Sequence, residues 1–277
     1  MKVLVTGSSG RIGGAIAARL SLRYQVIGLD LKAGPMTSVQ GDIRDLRLLA
    51  AICRGFDAVV HTASLHAPDL GIRAERDFRD INVEGTRGLL AACGEAGIPR
   101  FVYTSTTSLY GRALLPSGGE AVWVTEELPP EPRDIYDETK LAAEQACAEA
   151  ARGGMTCVSL RMSRCFPEHP RLVAIYRLHR GVDAADVAQA HELALAPGLS
   201  GYQVFNVSAR SPFAKSECRA LLSGAGSVLA AHHPWAAAQF ARRGWGLPES
   251  IDRVYVVDKA IKGLGYRPEH DFESLFS

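Results

Sequence analysis

Met1-Lys2-Val3-Leu4-Val5-Thr6-Gly7-Ser8-Ser9-Gly10-Arg11-Ile12-Gly13 begins the chain, and this stretch decides how the rest is read. Residues 3–6 are apolar or β-branched, the composition of a strand buried on both faces. Glycines follow at once, and residues 11–23 read as an amphipathic helix. A strand that runs through a glycine turn straight into a helix opens a β-α-β unit, which predicts a parallel sheet.

The same alternation continues outward. Strand-like runs at residues 25–29, 58–61, 100–104, 156–161 and 202–207 are separated by helical patterns at 78–95, 136–152 and 184–196. The predicted class is α/β, a doubly wound parallel sheet of the Rossmann type. The 277 residues suit one cooperative fold with a small lobe better than two independent domains. Residues 112–133 are too rich in proline and glycine for a regular element and read as a long loop.

Composition narrows the function classes. The 31 basic residues nearly balance the 30 acidic ones, so no global field favours nucleic acid or an anionic membrane surface. No apolar run reaches transmembrane length, and residues 1–7 lack the pattern of a signal peptide. Cys53, Cys93, Cys147, Cys157, Cys165 and Cys218 show no Cys-x-x-Cys spacing and read as buried thiols, so a cytoplasmic protein is expected. His232-His233 has no cluster of acids or cysteines near it, and no metal site is expected. A small-molecule ligand is the default.

The glycine turn suggests which ligand. Gly7, Gly10 and Gly13 allow close backbone approach, and free N–H groups at a helix N-terminus favour a pyrophosphate over Ser9, Arg11 and Ile12. Asp30 ends the second strand, where its carboxylate can accept hydrogen bonds from ribose hydroxyls and would repel an added phosphate. NAD is therefore expected over NADP, although Lys32 and Arg11 lie near enough to blur that preference. Residues 1–162, completed by 182–208, are expected to form the dinucleotide-binding domain, with 163–181 and 209–277 as a small, mostly helical substrate lobe.

Tyr136 and Lys140 stand four residues apart, on one face of a helix. A cation beside a phenol stabilises the phenolate and makes proton exchange with an alcohol or carbonyl feasible. The pair alone is weak evidence, since Tyr and Lys at this spacing often merely cover a helix surface. It occurs, however, in an ordered set: the glycine turn, Asp30, Gly41-Asp42-Ile43-Arg44-Asp45, His61-Thr62-Ala63-Ser64, Asn82-Val83-Glu84-Gly85-Thr86, residues 103–111, Tyr136 to Lys140, and Leu264-Gly265-Tyr266-Arg267-Pro268. In this set the chain resembles the extended short-chain dehydrogenases/reductases of the NAD-dependent epimerase/dehydratase group over nearly its full length.

The resemblance implies an oxidoreductase in which Tyr136 is the acid/base, Lys140 holds the nicotinamide ribose and lowers the tyrosine pKa, and Thr106 hydrogen-bonds the reacting oxygen. Asp42 and Ile43 resemble the pair beside the adenine, Ala63 lies in the strand-end stretch near the cofactor, and Asn82 resembles a structural asparagine. The substrate expected is a sugar or sugar derivative, nucleotide-linked or free, and relatives commonly pair as homodimers. Residues 163–171 depart from the family's glycine-rich stretch and are similar to those of uronate dehydrogenases, which oxidise a free sugar acid; Thr107 stands where those carry asparagine. His66 and Thr107 are candidate substrate contacts, as is Arg171, chosen first among Arg164, Arg171, Arg177 and Arg180 to hold an acidic group. A non-catalytic dinucleotide sensor is the competing class; an intact Tyr136, Lys140 and Thr106 argue against it.

Overall fold

The computed structural model describes residues 1–276. In chain order its elements are β1 (Lys2–Thr6), α1 (Arg11–Leu20), β2 (Gln25–Asp30), β3 (Val39–Gln40), α2 (Leu46–Ile52), β4 (Ala58–His61), α3 (Glu75–Phe78), a π-helical stretch (Arg79–Glu84), α4 (Gly85–Glu95), β5 (Arg100–Thr106) and β6 (Val122–Val124). There follow α5 (Ile135–Arg152), β7 (Thr156–Met162), α6 (Pro170–Arg177), α7 (Ala184–Ala194), β8 (Tyr202–Val207), α8 (Cys218–His232), α9 (Pro234–Arg242), β9 (Arg253–Tyr255) and α10 (Asp258–Leu264).

Among the described residues a seven-stranded sheet runs in the order β3-β2-β1-β4-β5-β7-β8, every pairing parallel. Alternate residues of each strand enter opposite cores. Val3 and Val5 pack with Ile16 and Leu20 of α1 and Val187 of α7. Leu4 packs with Leu49 of α2, Leu89 of α4 and Ala143 of α5. Burial on both faces explains why the strands read as continuous apolar runs. The chain winds outward in opposite directions from β1 and β4, and the carboxyl ends of those strands leave a crevice at that switch point.

Two expectations about elements are corrected. The helix read at 78–95 begins at Glu75 and passes through the π-helical stretch, which carries Asn82. Asn82 Oδ1 accepts from the Leu65 N–H at 2.8 Å and its Nδ2 donates to Thr139 Oγ1 at 3.1 Å, tying this helix to the loop after β4 and to α5. Residues 112–133 are not a structureless loop: β6 pairs in parallel with β9, Val122 opposite Arg253 and Val124 opposite Tyr255. Apolar Ala121 and Val124 are buried, and that burial overrides the turn-rich flanks. A third core joins Ala121 with Ile175 and Leu178, and with Phe213, Leu221 and Phe240 from the chain's last part.

Candidate active site

The crevice is a cleft of 580 Å³. Its floor is the glycine turn. Gly7 has φ +73°, and a Cβ there would lie 2.5 Å from Thr62 Oγ1 and 2.7 Å from the Ala63 nitrogen. A Cβ on Gly13 would meet the Gly7 carbonyl oxygen at 2.0 Å. No side chain caps α1 at Gly10, so the amides of its first turn face the cleft without a capping acceptor.

Gly7, Gly10, Arg11, Ile12, Gly13, Asp30, Asp42, Ile43 and Ala63 all line the cleft, as expected. Ser9 does not. Its hydroxyl donates to the Lys32 carbonyl at 2.6 Å, and its N–H donates to Asp30 Oδ2 at 2.9 Å. Ser9 thus orients the carboxylate, whose Oδ1 takes the Lys32 N–H at 2.9 Å, rather than offering an amide to a phosphate. The Asp42 carboxylate is held below its ordinary range by hydrogen bonds from Arg44. A cradle that any Cβ would fill, an uncapped helix start and a preset carboxylate fit a dinucleotide.

At the other end α5 presents Tyr136 and Lys140 to the end of β5. Asp134 caps this helix by accepting from the Asp137 N–H at 3.0 Å. Burial pushes the Tyr136 phenol up to about 12, against a hydrogen bond with Thr106 that pulls it down. Thr106 Oγ1 also accepts from the Ser108 N–H at 3.1 Å. Lys140 Nζ donates to the Thr104 carbonyl at 2.7 Å and lies 4.3 Å from the centre of the Tyr103 ring. Burial lowers Lys140 to about 7, opposed by the Glu144 charge. Burial is the largest influence on the phenol, and Thr106 pulls it down.

The substrate candidates divide. His66 and Thr107 line the cleft; His66 Nδ1 lies 2.9 Å from Asp69 Oδ2, and the Thr107 hydroxyl hydrogen-bonds Tyr255. Arg171 does not line it. At the start of α6 its Nε donates to the Gly246 carbonyl at 3.1 Å, an exposed contact. Arg180 and Arg253 line the cleft instead. The Nε atoms of both are buried without a hydrogen-bond partner among the described residues. Tyr255 donates its N–H to the His179 carbonyl at 2.9 Å, and His179 Nδ1 contacts the Arg253 carbonyl at 2.9 Å. This knot gathers both arginines around Tyr255, on which Thr107 also acts. Arg133, Arg164 and Arg253 are each paired to a carboxylate, Asp137, Glu168 and Asp252 respectively, whereas Arg180 has no ion-pair partner among the described residues. Sequence reasoning missed Arg253 because it sits on a three-residue strand whose partner lies more than a hundred residues away.

A Rossmann sheet with a glycine cradle at its switch point, and a Tyr/Lys pair across the cleft, is the architecture of a dinucleotide-binding fold. Residues 3–181 match the NAD dependent epimerase/dehydratase family, and the chain belongs to it. A 3 beta-hydroxysteroid dehydrogenase/Delta 5-->4-isomerase of Mycobacterium tuberculosis is 36% identical over 175 residues, 58% of this chain and 46% of that protein. The chain spans about half the length of the first curated relatives it matches. A UDP-glucose 4-epimerase of Corynebacterium glutamicum is 26% identical over 98% of this chain and 92% of its own length. The structure of an NAD-bound short-chain dehydrogenase/reductase superfamily protein from Agrobacterium tumefaciens has the same fold, with TM-score 0.72 and 23% identity over 99% of this chain and 94% of that one.

Proposed function

We propose that the protein is an NAD-dependent oxidoreductase acting on a secondary alcohol of a small acidic sugar or sugar derivative. The observation that carries this reading is the Arg180 guanidinium, which lines the cleft without an ion-pair partner among the described residues, with Arg253 beside it held by Asp252. A guanidinium that lines a cleft without an anionic partner is suited to a carboxylate or phosphate of a ligand. With Arg171 outside the cleft, the acidic group falls to Arg180.

The glycine turn holds the pyrophosphate on the amides of Arg11 and Ile12, and Asp30 takes the adenosine ribose. A 2′-phosphate would meet that carboxylate, which favours NAD over NADP. Bound NAD supplies the hydride acceptor and a positive charge. Thr106 orients the substrate hydroxyl, Tyr136 exchanges its proton, and Lys140 holds the nicotinamide ribose. A phenol pushed to about 12 keeps its proton at neutral pH, so without cofactor Tyr136 rests as the acid; to accept the proton of an alcohol being oxidised it would first release its own to solvent, which the nicotinamide charge of bound NAD would favour.

A second reading, a neutral steroid-like alcohol as substrate, draws on the mycobacterial relative. One assay separates the two: NADH release with NAD and, in turn, acidic sugars, neutral sugars and a hydroxysteroid, for the native protein and Arg180→Ala. The acidic-sugar reading expects turnover of the acidic sugars and a rise in KM of about 10- to 100-fold for them in Arg180→Ala, as for loss of a charged hydrogen bond. Turnover of the steroid alone, unchanged in the variant, overturns it.

A further inference from the structure

Three consecutive residues of β5 hold three successive turns of α5. Thr106 hydrogen-bonds Tyr136, the Thr104 carbonyl accepts from Lys140 Nζ, and Ser105 Oγ donates to Glu144 Oε1 at 2.6 Å. Glu144 is thereby fixed one turn beyond Lys140 on the same face of the helix, and each is only 3% exposed. A carboxylate this deep needs partners. Arg161 supplies them, with Nη2 2.7 Å from Oε2 and Nε 3.0 Å from Oε1, while its guanidinium lies 4.9 Å from the centre of the Tyr110 ring.

Lys140 is surrounded by groups that bear no negative charge, with one exception. From β4 comes His61, which burial lowers to about 3 and so keeps neutral. From β5 come the Tyr103 ring and the Thr104 carbonyl. On α5 itself stand Tyr136, which keeps its proton, and Cys147, whose thiol burial pushes well up. Among the described residues that face Lys140, Glu144 is the anion.

We propose that Glu144 is a positioning residue for the reactive pair: its carboxylate, locked by Ser105 and Arg161, keeps Lys140 an ammonium and so keeps a cation one turn from Tyr136. The proposal rests on reading Tyr136 and Lys140 as that pair. An opposite charge at close range favours the charged form of a buried amine, whereas a carboxylate that only stapled α5 to β7 would leave the lysine's ionisation indifferent to its charge.

The test follows the ionisation of Lys140 directly, by NMR of the full chain with isotope-labelled lysine, the signal assigned through Lys140→Arg. Glu144→Gln should lower the titration midpoint of Lys140 by about 1 pH unit or more, while Glu144→Asp, which keeps the charge, retains most of the native midpoint. Because Glu144→Gln leaves Arg161 unpaired in the interior, the double variant Glu144→Gln/Arg161→Gln is measured beside it, where a smaller downward shift is expected because the more distant Arg161 cation leaves with the carboxylate. A native midpoint in the glutamine variants overturns the proposal. The readout needs no substrate, so undiminished turnover in Tyr136→Phe would remove the catalytic reading while leaving the titration result intact.

Discussion

Tyr136 packs its ring against Phe78 and Ile135 while its hydroxyl reaches Thr106. Tyr136→Phe keeps that packing and deletes the transferable proton. Turnover should fall by about 10²- to 10⁴-fold, the usual worth of general acid/base catalysis, with NAD affinity unchanged in a binding titration. A variant as active as the native enzyme would mean that another group moves the proton. Side-chain direction is what this scale adds to the sequence. Ser9 and Arg171 sit where residue type and order suggested ligand contacts, yet Ser9 serves Asp30 and Arg171 serves Gly246. Residue type specifies what a group can bind, and the backbone around it specifies where it points.

The turn between β1 and α1 is legible from its glycines because each answers a local steric demand. Gly13→Ala tests this most sharply: the added Cβ would lie 2.0 Å from the Gly7 oxygen and 2.6 Å from Thr62 Oγ1, and the nearer atom is backbone, which cannot rotate aside. Relief requires α1 to shift from β1. NAD binding should be lost and the melting temperature should drop, both measurable on the purified variant; retention of native affinity would show that the turn tolerates the shift. The β6–β9 ribbon is the contrasting case. Its strands are three residues each and far apart in the chain, too short for a periodic signal, and they form because one face, with Val254, is buried in the third core and the other, with Val124 and Tyr255, against Leu109 and Tyr110. That ribbon delivers Arg253 and Tyr255 to the cleft.

Over the whole molecule, acid should be destabilising in a defined window. Burial is the first cause that lowers His61 and His179 to about 3 and His191 to about 4, from an ordinary value of 6.5. Between those values the unfolded chain binds protons that the folded chain refuses, so unfolding takes up protons and stability rises with pH. The melting temperature should therefore fall steadily as pH is lowered from 6.5 towards 4. Lys140, lowered from 10.5 to about 7, acts with the same sign above neutrality. A melting temperature that stays flat from 6.5 to 4 would count against neutral burial of these rings.

The parallel sheet, its glycine cradle, Asp30 and the Tyr136/Lys140 spacing were legible in the sequence alone, since each announces itself by a local pattern: buried strand runs, a helix start, or two side chains one turn apart. The tertiary structure alone decided which arginines enter the cleft, that residues 122–124 form a strand, and that Glu144 stands as the anion facing Lys140. Those outcomes depend on burial shared between distant segments. A side chain's partner, and with it its charge state, is settled only when the segments that exclude water from it have met.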